Sequence, residues 1–229
     1  MISNYVALLL IHHLNFVLLN AHYFNVVSVA NKKEVYDLQH DYVADSFNRR
    51  KRRYVLNKRK WNYDLLTWQL QIDNLNSADQ FIIRNTLHRA FAIWSEASSL
   101  RFLEIPVNQV IPSDIKIAFK RGKHDDNLPF DGPEGQIAHA FYPTIGVLHF
   151  DADEAWGLND VGINLYQTAV HELGHLLGLE HSHDERAVMY PKNRKFDPHY
   201  SLSRDDVRAI QRLYPQPKKI VSSKKKSDE

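Results

Sequence analysis

His171-Glu172-Leu173-Gly174-His175-Leu176-Leu177-Gly178-Leu179-Glu180-His181 is the stretch that orders the reading of the whole chain. Residues four apart share a helix face, so His171 and His175 can present imidazole nitrogens to one ion with Glu172 alongside. Gly178 supplies the left-handed backbone that ends a helix, and the returning chain brings His181 to the same ion. Three neutral nitrogens occupy three tetrahedral positions and leave a fourth for water, which separates a catalytic zinc site from a closed structural one. Glu172 is placed to act as the general base of such a site. The bland reading, satisfied core histidines on an ordinary helix, does not account for this spacing.

Working outward, Leu66, Trp68, Leu70 and Ile72 alternate with polar residues and predict a strand with one buried face. Ser77-Ala78-Asp79-Gln80 predicts a capping box opening a helix, whose apolar stripe is Ile83, Leu87, Ala90, Phe91 and Trp94. Short strands are expected at 100–105, 115–119, 136–141 and 147–150, between loops rich in Pro, Gly and Asp. A second helix carries His171. A last helix starts at Ser203 with Asp206 as capping partner, buries Val207, Ile210 and Leu213, and stops at Pro215. No internal repeat is visible.

The 229 residues suit one domain with short flanks, and 29 Lys and Arg against 27 Asp and Glu leave charge arguments to local clusters. Cysteine is absent, which excludes disulfides, thiolate metal ligands and a cysteine nucleophile. Residues 1–31 carry no Lys, Arg, Asp or Glu, and Tyr5 to Leu19 is mostly Leu, Val, Ile and Phe. With its small-residue end at Ser28-Val29-Ala30, segment 1–30 reads as a signal peptide, an uncleaved membrane anchor being the competing reading. A polar pro-segment, 31–53, ends in Arg49-Arg50-Lys51-Arg52-Arg53, read as a proprotein-convertase site cut after Arg53. The catalytic domain is then 54–215, followed by a basic tail, 216–229, whose composition predicts disorder.

The extended histidine motif resembles that of the metzincins, and Ala187-Val188-Met189-Tyr190-Pro191 resembles their Met-turn. Within that clan the matrixins, the matrix metalloproteinases, are the nearest likeness. The similarity spans Trp61 to Tyr214, through His124-Asp125-Asp126, Pro129-Phe130-Asp131-Gly132-Pro133, Ala138-His139-Ala140-Phe141 and His149-Phe150-Asp151 in matrixin order. The resemblance implies an α+β fold with a twisted, mixed, mostly parallel five-stranded sheet and three helices, and Met189 beneath the catalytic zinc. It further implies a second, structural zinc on His124, Asp126, His139 and His149. A calcium ion is implied on Asp131, Asp151 and Glu154 with the carbonyls of Gly132, Glu134 and Gln136. Three imidazoles and a carboxylate fill a tetrahedron and leave no reactive water, consistent with the structural role.

The chain departs from the matrixin pattern in several places. The loop between Pro143 and His149 is shortened and lacks Gly-Gly-Asp, and Ala152 stands where a carboxylate is usual, so one calcium is expected. Asn193 replaces a customary tyrosine, and Gln167 with Lys192, Arg194 and Lys195 makes the region near Val170, where the family's primary pocket runs, unusual. Neither a cysteine for latency nor a hemopexin-like domain is expected.

The function implied is a secreted zinc-dependent endopeptidase acting on extracellular or matrix proteins, as a monomer, with substrate added along 137–141 and no nucleic acid bound. Two other classes compete with this reading. A catalytically inactive zinc-stabilised binding module would have no use for Glu172, and a basic matrix- or nucleic-acid-binding protein would rest on Arg49–Arg53 and the lysine tail.

Overall fold

The computed structural model describes residues 56, 59–73, 75–192 and 194–216. Segment 1–30, read above as a signal peptide, the pro-segment with its basic run ending at Arg53, Asn193 and most of the C-terminal tail lie outside the described residues.

Strand β1 (Leu65–Leu70) buries Leu66, Trp68 and Leu70 and turns the intervening residues outward, as alternation requires. It is followed by α1 (Ser77–Ala97), β2 (Arg101–Glu104), β3 (Ile115–Lys120), β4 (Ala138–Ala140) and β5 (Val147–Asp151). These strands form one sheet ordered β2-β1-β3-β5-β4. The first three neighbouring pairs are parallel and only β4–β5 is antiparallel. The expected α+β architecture, with its mixed five-stranded sheet, is therefore the one observed.

Helix α1 covers the sheet with Ile83, Leu87, Ala90, Phe91 and Trp94, and Phe91 packs on Trp68 with ring centroids 4.9 Å apart. Helix α2 (Leu165–Leu176) packs on α1, and Trp94 Nε1 donates to Val170 O across 2.9 Å. Helix α3 (Arg204–Leu213) buries Ala209 and Ile210 and begins in the expected capping box between Ser203 and Asp206. The three helices and the sheet share one apolar core reaching from Leu66 to Tyr214.

Three details differ from expectation. The α1 cap is Asn76, whose side chain accepts from Asp79 N at 3.0 Å, so the capping pair starts one residue before Ser77. Asn is as good an N-cap acceptor as Ser, and its amide also reaches the Asp79 carboxylate at 2.6 Å. Val207 and Leu213 are only partly buried at the rim of α3. A two-stranded ladder, β6 (Trp156–Gly157) with β7 (Ile163–Asn164), leads into α2 and is too short to show any period in sequence.

Candidate metal centres and active site

Asn164 caps α2 by accepting from Gln167 N at 3.0 Å, which fixes the start of the helix and hence which residues face inward. His171 and His175 lie one turn apart with ring centroids 4.9 Å apart. The helix then ends in a Schellman arrangement. Leu179 N donates to Gly174 O (2.9 Å), Gly178 N donates to His175 O (2.9 Å), and Gly178 has φ 95°. That reversal delivers His181, whose ring centroid is 4.8 Å from that of His175 and 5.3 Å from that of His171.

The nitrogens free to ligate an ion are selected by their opposite ring atoms. His171 Nδ1 is 2.7 Å from Val188 O and His175 Nδ1 is 2.8 Å from Leu179 O. An N–H donated to each carbonyl leaves Nε2 as the bare nitrogen. His175 Nε2 and His181 Nε2 are 3.3 Å apart. Zinc–nitrogen bonds of about 2.0–2.1 Å in a tetrahedron give an edge of about 3.3–3.4 Å, so the spacing fits the ion. Burial, the largest cause in each case, pushes His171 down to about 4, His175 well below its ordinary value and His181 downward. Neutral imidazole, the form that binds metal, is thereby favoured.

Glu172 is buried beside this set, and burial alone pushes its carboxyl up to about 8. A carboxyl raised in this way is a strong proton acceptor once ionised, and a neighbouring dication acts in the opposite direction.

A second cluster forms on the far side of β5. In the antiparallel register His139 stands directly opposite His149, so their side chains share one sheet face. The loop before β4 brings Asp126 Oδ2 to 2.9 Å from His139 Nε2, 2.9 Å from His149 Nδ1 and 3.2 Å from His124 Nε2. His139 Nε2 and His149 Nδ1 are 3.3 Å apart, the same tetrahedral edge. Burial acts to raise Asp126, but the hydrogen bonds with His139, His149 and Leu128 N outweigh it and hold the carboxyl far below the usual range. His124 Nδ1 is fixed by Gly122 O at 2.8 Å, and Phe130 stacks on both His124 and His139. Among the described residues these two sets alone bring three or more ligand atoms within 4.8 Å of one another.

The sheet and the helix order agree with a comparison to known families. Residues 60–215 match the family described as Matrixin. The chain belongs to the matrixin family. It is similar to interstitial collagenase of Oryctolagus cuniculus, 41% identical over 72% of this chain and 37% of the relative. Metalloendoproteinase 1-MMP of Arabidopsis thaliana is likewise 41% identical, over 77% of this chain and 50% of its own length. Karilysin of Tannerella forsythia is 41% identical over 72% and 35%. This matrixin thus spans about a third to a half of those relatives' lengths.

The residues expected to hold calcium lie on and after a loop with left-handed backbone at Gly132 (φ 86°), Glu134 (φ 68°) and Gly135 (φ 79°). Asp131 Oδ1 accepts from Gln136 N at 3.1 Å within that loop. Asp151 Oδ2 and Glu154 Oε1 are buried without a hydrogen-bond partner. Burial first, then neighbouring carboxylates, raises both groups, Asp131 acting on Asp151 and Asp151 on Glu154. Orphaned carboxylate oxygens crowded by like charge suit a hard dication. Asp153, beyond Ala152, is instead ion-paired with Arg121.

Met189 is buried and lies against Gly174, which stands between His171 and His175 on α2. Asp206, read only as a helix cap in the sequence, and Asp205, which the sequence reading passed over, support the site. Asp206 accepts from Val188 N (2.8 Å), Met189 N (3.2 Å) and Ser203 N (2.8 Å). Asp205, next to it, accepts from Ser182 Oγ at 2.6 Å, and Ser182 N donates to Met189 O at 2.7 Å. The first turn of α3 therefore clasps the carbonyl that orients His171 and the residue following His181. Asp206 gave only a capping signal in sequence and Asp205 none; their partners in the loop lie 17 to 23 residues away.

Proposed function

We propose that this matrixin is a secreted zinc-dependent endopeptidase that hydrolyses internal peptide bonds of extracellular or matrix proteins. The observation that carries the reading is the convergence of His171, His175 and His181 with Glu172 beside them. Zinc, when bound there, supplies Lewis acidity that makes water nucleophilic at neutral pH and stabilises charge on the scissile carbonyl oxygen.

The chain's own residues do the rest. Val188 O and Leu179 O hold two imidazoles in the ligating tautomer. Glu172 accepts the proton of water as its oxygen bonds to the carbonyl carbon, then passes that proton to the departing amine as the C–N bond breaks. Among the described residues β4 pairs with β5 alone, so its outer edge is available to hydrogen-bond an extended peptide by strand addition. The polypeptide then lies along 138–140, next to α2.

In the same reading His124, Asp126, His139 and His149 hold a structural zinc that fastens β4 to β5, and Asp131, Asp151 and Glu154 hold one calcium with the carbonyls of Gly132, Glu134 and Gln136. Segment 1–30 directs export and a convertase cuts after Arg53. Among the described residues no helix is long and apolar enough to cross a membrane.

The test is hydrolysis of an unfolded protein substrate by the purified chain, with and without a zinc chelator, beside Glu172→Ala. Hydrolysis is expected to vanish under both treatments and to return when zinc is restored to the wild-type chain. Cleavage that persists in either treatment removes this mechanism.

A further inference from the structure

Strand β3 runs beside β5 with Lys120 opposite Asp151, and Ala152 N donates to Lys120 O at 2.8 Å. This register sets Arg121, the residue after β3, alongside Asp153, the residue after Ala152, and their side chains form an ion pair. Asp153 is also tied to the acidic loop, since its N–H donates to Asp151 Oδ1 at 2.8 Å. The guanidinium therefore stands at the rim of the set formed by Asp131, Asp151 and Glu154. Of the two basic residues that close β3, Lys120 turns instead to Asp125, at 2.8 Å.

That loop carries more negative charge than its own hydrogen bonds offset. Asp151 Oδ2 and Glu154 Oε1 are buried without a partner, and both carboxyls are raised by burial first and by acidic neighbours next. At Asp151 the charge of Arg121 acts in the opposite direction. A guanidinium keeps its charge at every working pH, so this contribution is permanent. It cannot enter the oxygen shell of a calcium ion, yet it sits in the field of the same carboxylates. A dication held by them must share that field with a fixed positive charge.

We propose that Arg121 is a built-in counter-cation of the calcium loop, holding the loop together when calcium is scarce and weakening calcium binding by repulsion. This rests on the single-calcium reading above. Occupancy is thereby matched to a calcium-rich medium, while the folded chain persists where the ion is scarce.

Charge and packing give different signatures here. Loss of a residue that only packs lowers the thermal midpoint with and without calcium and leaves calcium affinity alone. Loss of the counter-cation lowers the calcium-free midpoint and tightens calcium binding. Because the Arg121 side chain is 64% exposed, salt screens its field, and the effect on affinity shrinks as ionic strength rises.

The experiment titrates calcium into the calcium-depleted, zinc-saturated chain by calorimetry at low and high salt. Thermal midpoints are recorded without calcium and at saturation, with zinc held constant. Arg121→Gln, which keeps a hydrogen-bonding side chain without the charge, is expected to lower the calcium Kd about tenfold at low salt. It should also lower the calcium-free midpoint. Arg121→Lys should stay near wild type on both counts, and Asp153→Asn should raise the Kd. Lys116→Gln makes the same charge change at the other end of β3 and should leave the Kd near wild type. An unchanged Kd in Arg121→Gln, or a change matched by Lys116→Gln, overturns the repulsion, and an unchanged calcium-free midpoint overturns the counter-cation role. A wild-type chain that binds no calcium refutes the single-calcium reading and the repulsion with it, whereas the calcium-free midpoints still report on the counter-cation.

Discussion

Replacing Gly174 with alanine tests the packing between the metal-binding helix and the turn beneath it. An added Cβ would fall within overlap of Met189 Sδ, 3.0 Å from Met189 Cε and 3.2 Å from Trp94 Cζ2. Relaxed carbon contacts lie near 3.5–4.0 Å, so at least two buried side chains must move. Alanine is worth about 1 kcal/mol over glycine in a helix interior, which favours the substitution. Overpacking a tight core costs about 1–3 kcal/mol, with the upper end apt here because Met189 and Trp94 are 2% and 0% exposed. The net expectation is a loss of about 1–2 kcal/mol, or about 2–8 °C in thermal midpoint for a domain of this size. The shift must be read at fixed zinc and calcium concentrations, since ligands of the folded state move the midpoint by themselves. Because Met189 shares its turn with Val188, displacement should also hasten zinc loss to a chelator. Gly174→Ala combined with Met189→Ala should cost less than the sum of the two single changes, since the shortened side chain leaves room for the methyl group. A midpoint at or above wild type for Gly174→Ala, or strict additivity in the pair, would refute the steric reasoning.

Asp206→Ala leaves three backbone N–H groups without their acceptor, and at about 1–3 kcal/mol for each buried one a loss of at least about 3 kcal/mol is expected in urea unfolding. Zinc affinity should fall about 10–100-fold with it, since Val188 O is no longer fixed against His171, and competition with a chromophoric chelator reads this out. Asp151→Asn should abolish most of the calcium-induced rise in thermal midpoint, which for wild type at a hundredfold excess over Kd amounts to about 2.7 kcal/mol. In the metal-free fold, Glu172 raised to about 8 keeps a proton that the unfolded chain releases above about 4.3, so this group makes stability fall as pH rises to 8. His171 lowered to about 4 acts oppositely, making stability rise between about 4 and 6.5, after which Glu172 alone operates. Zinc-stripped wild type should therefore lose about 2 kcal/mol between pH 6.5 and 8 at about 1.4 kcal/mol per unit, and Glu172→Gln should not; equal losses in urea titrations would refute this.

The candidate catalytic set was legible because its geometry is local. Three residues of α2, His171, Glu172 and His175, and one glycine-terminated turn leading to His181 make the set, so spacing carries the information. The Ser203–Asp206 cap was visible for the same reason, and the Asn76–Asp79 cap was displaced by one residue because Asn, Ser and Asp stand together there. The second metal cluster was legible only through family resemblance. His139 and His149 are ten residues apart, and only an antiparallel register makes them face each other. The tertiary roles of Asp205 and Asp206 left no pattern, since their partners, the Ser182 hydroxyl and the backbone N–H groups of Val188 and Met189, lie in a distant loop.

Strand β4 is three residues long and has β5 as its sole neighbour among the described residues. A ribbon that brief gains little from its ladder, so the Asp126 clip across His139 and His149 bears much of its attachment. Peeling of this rim is then a low-cost opening, reached while α1 and β1 stay closed. Prolonged exposure to chelators should first yield a compact protein with a frayed border, unable to grip a polypeptide and nicked near residue 140 by its intact neighbours.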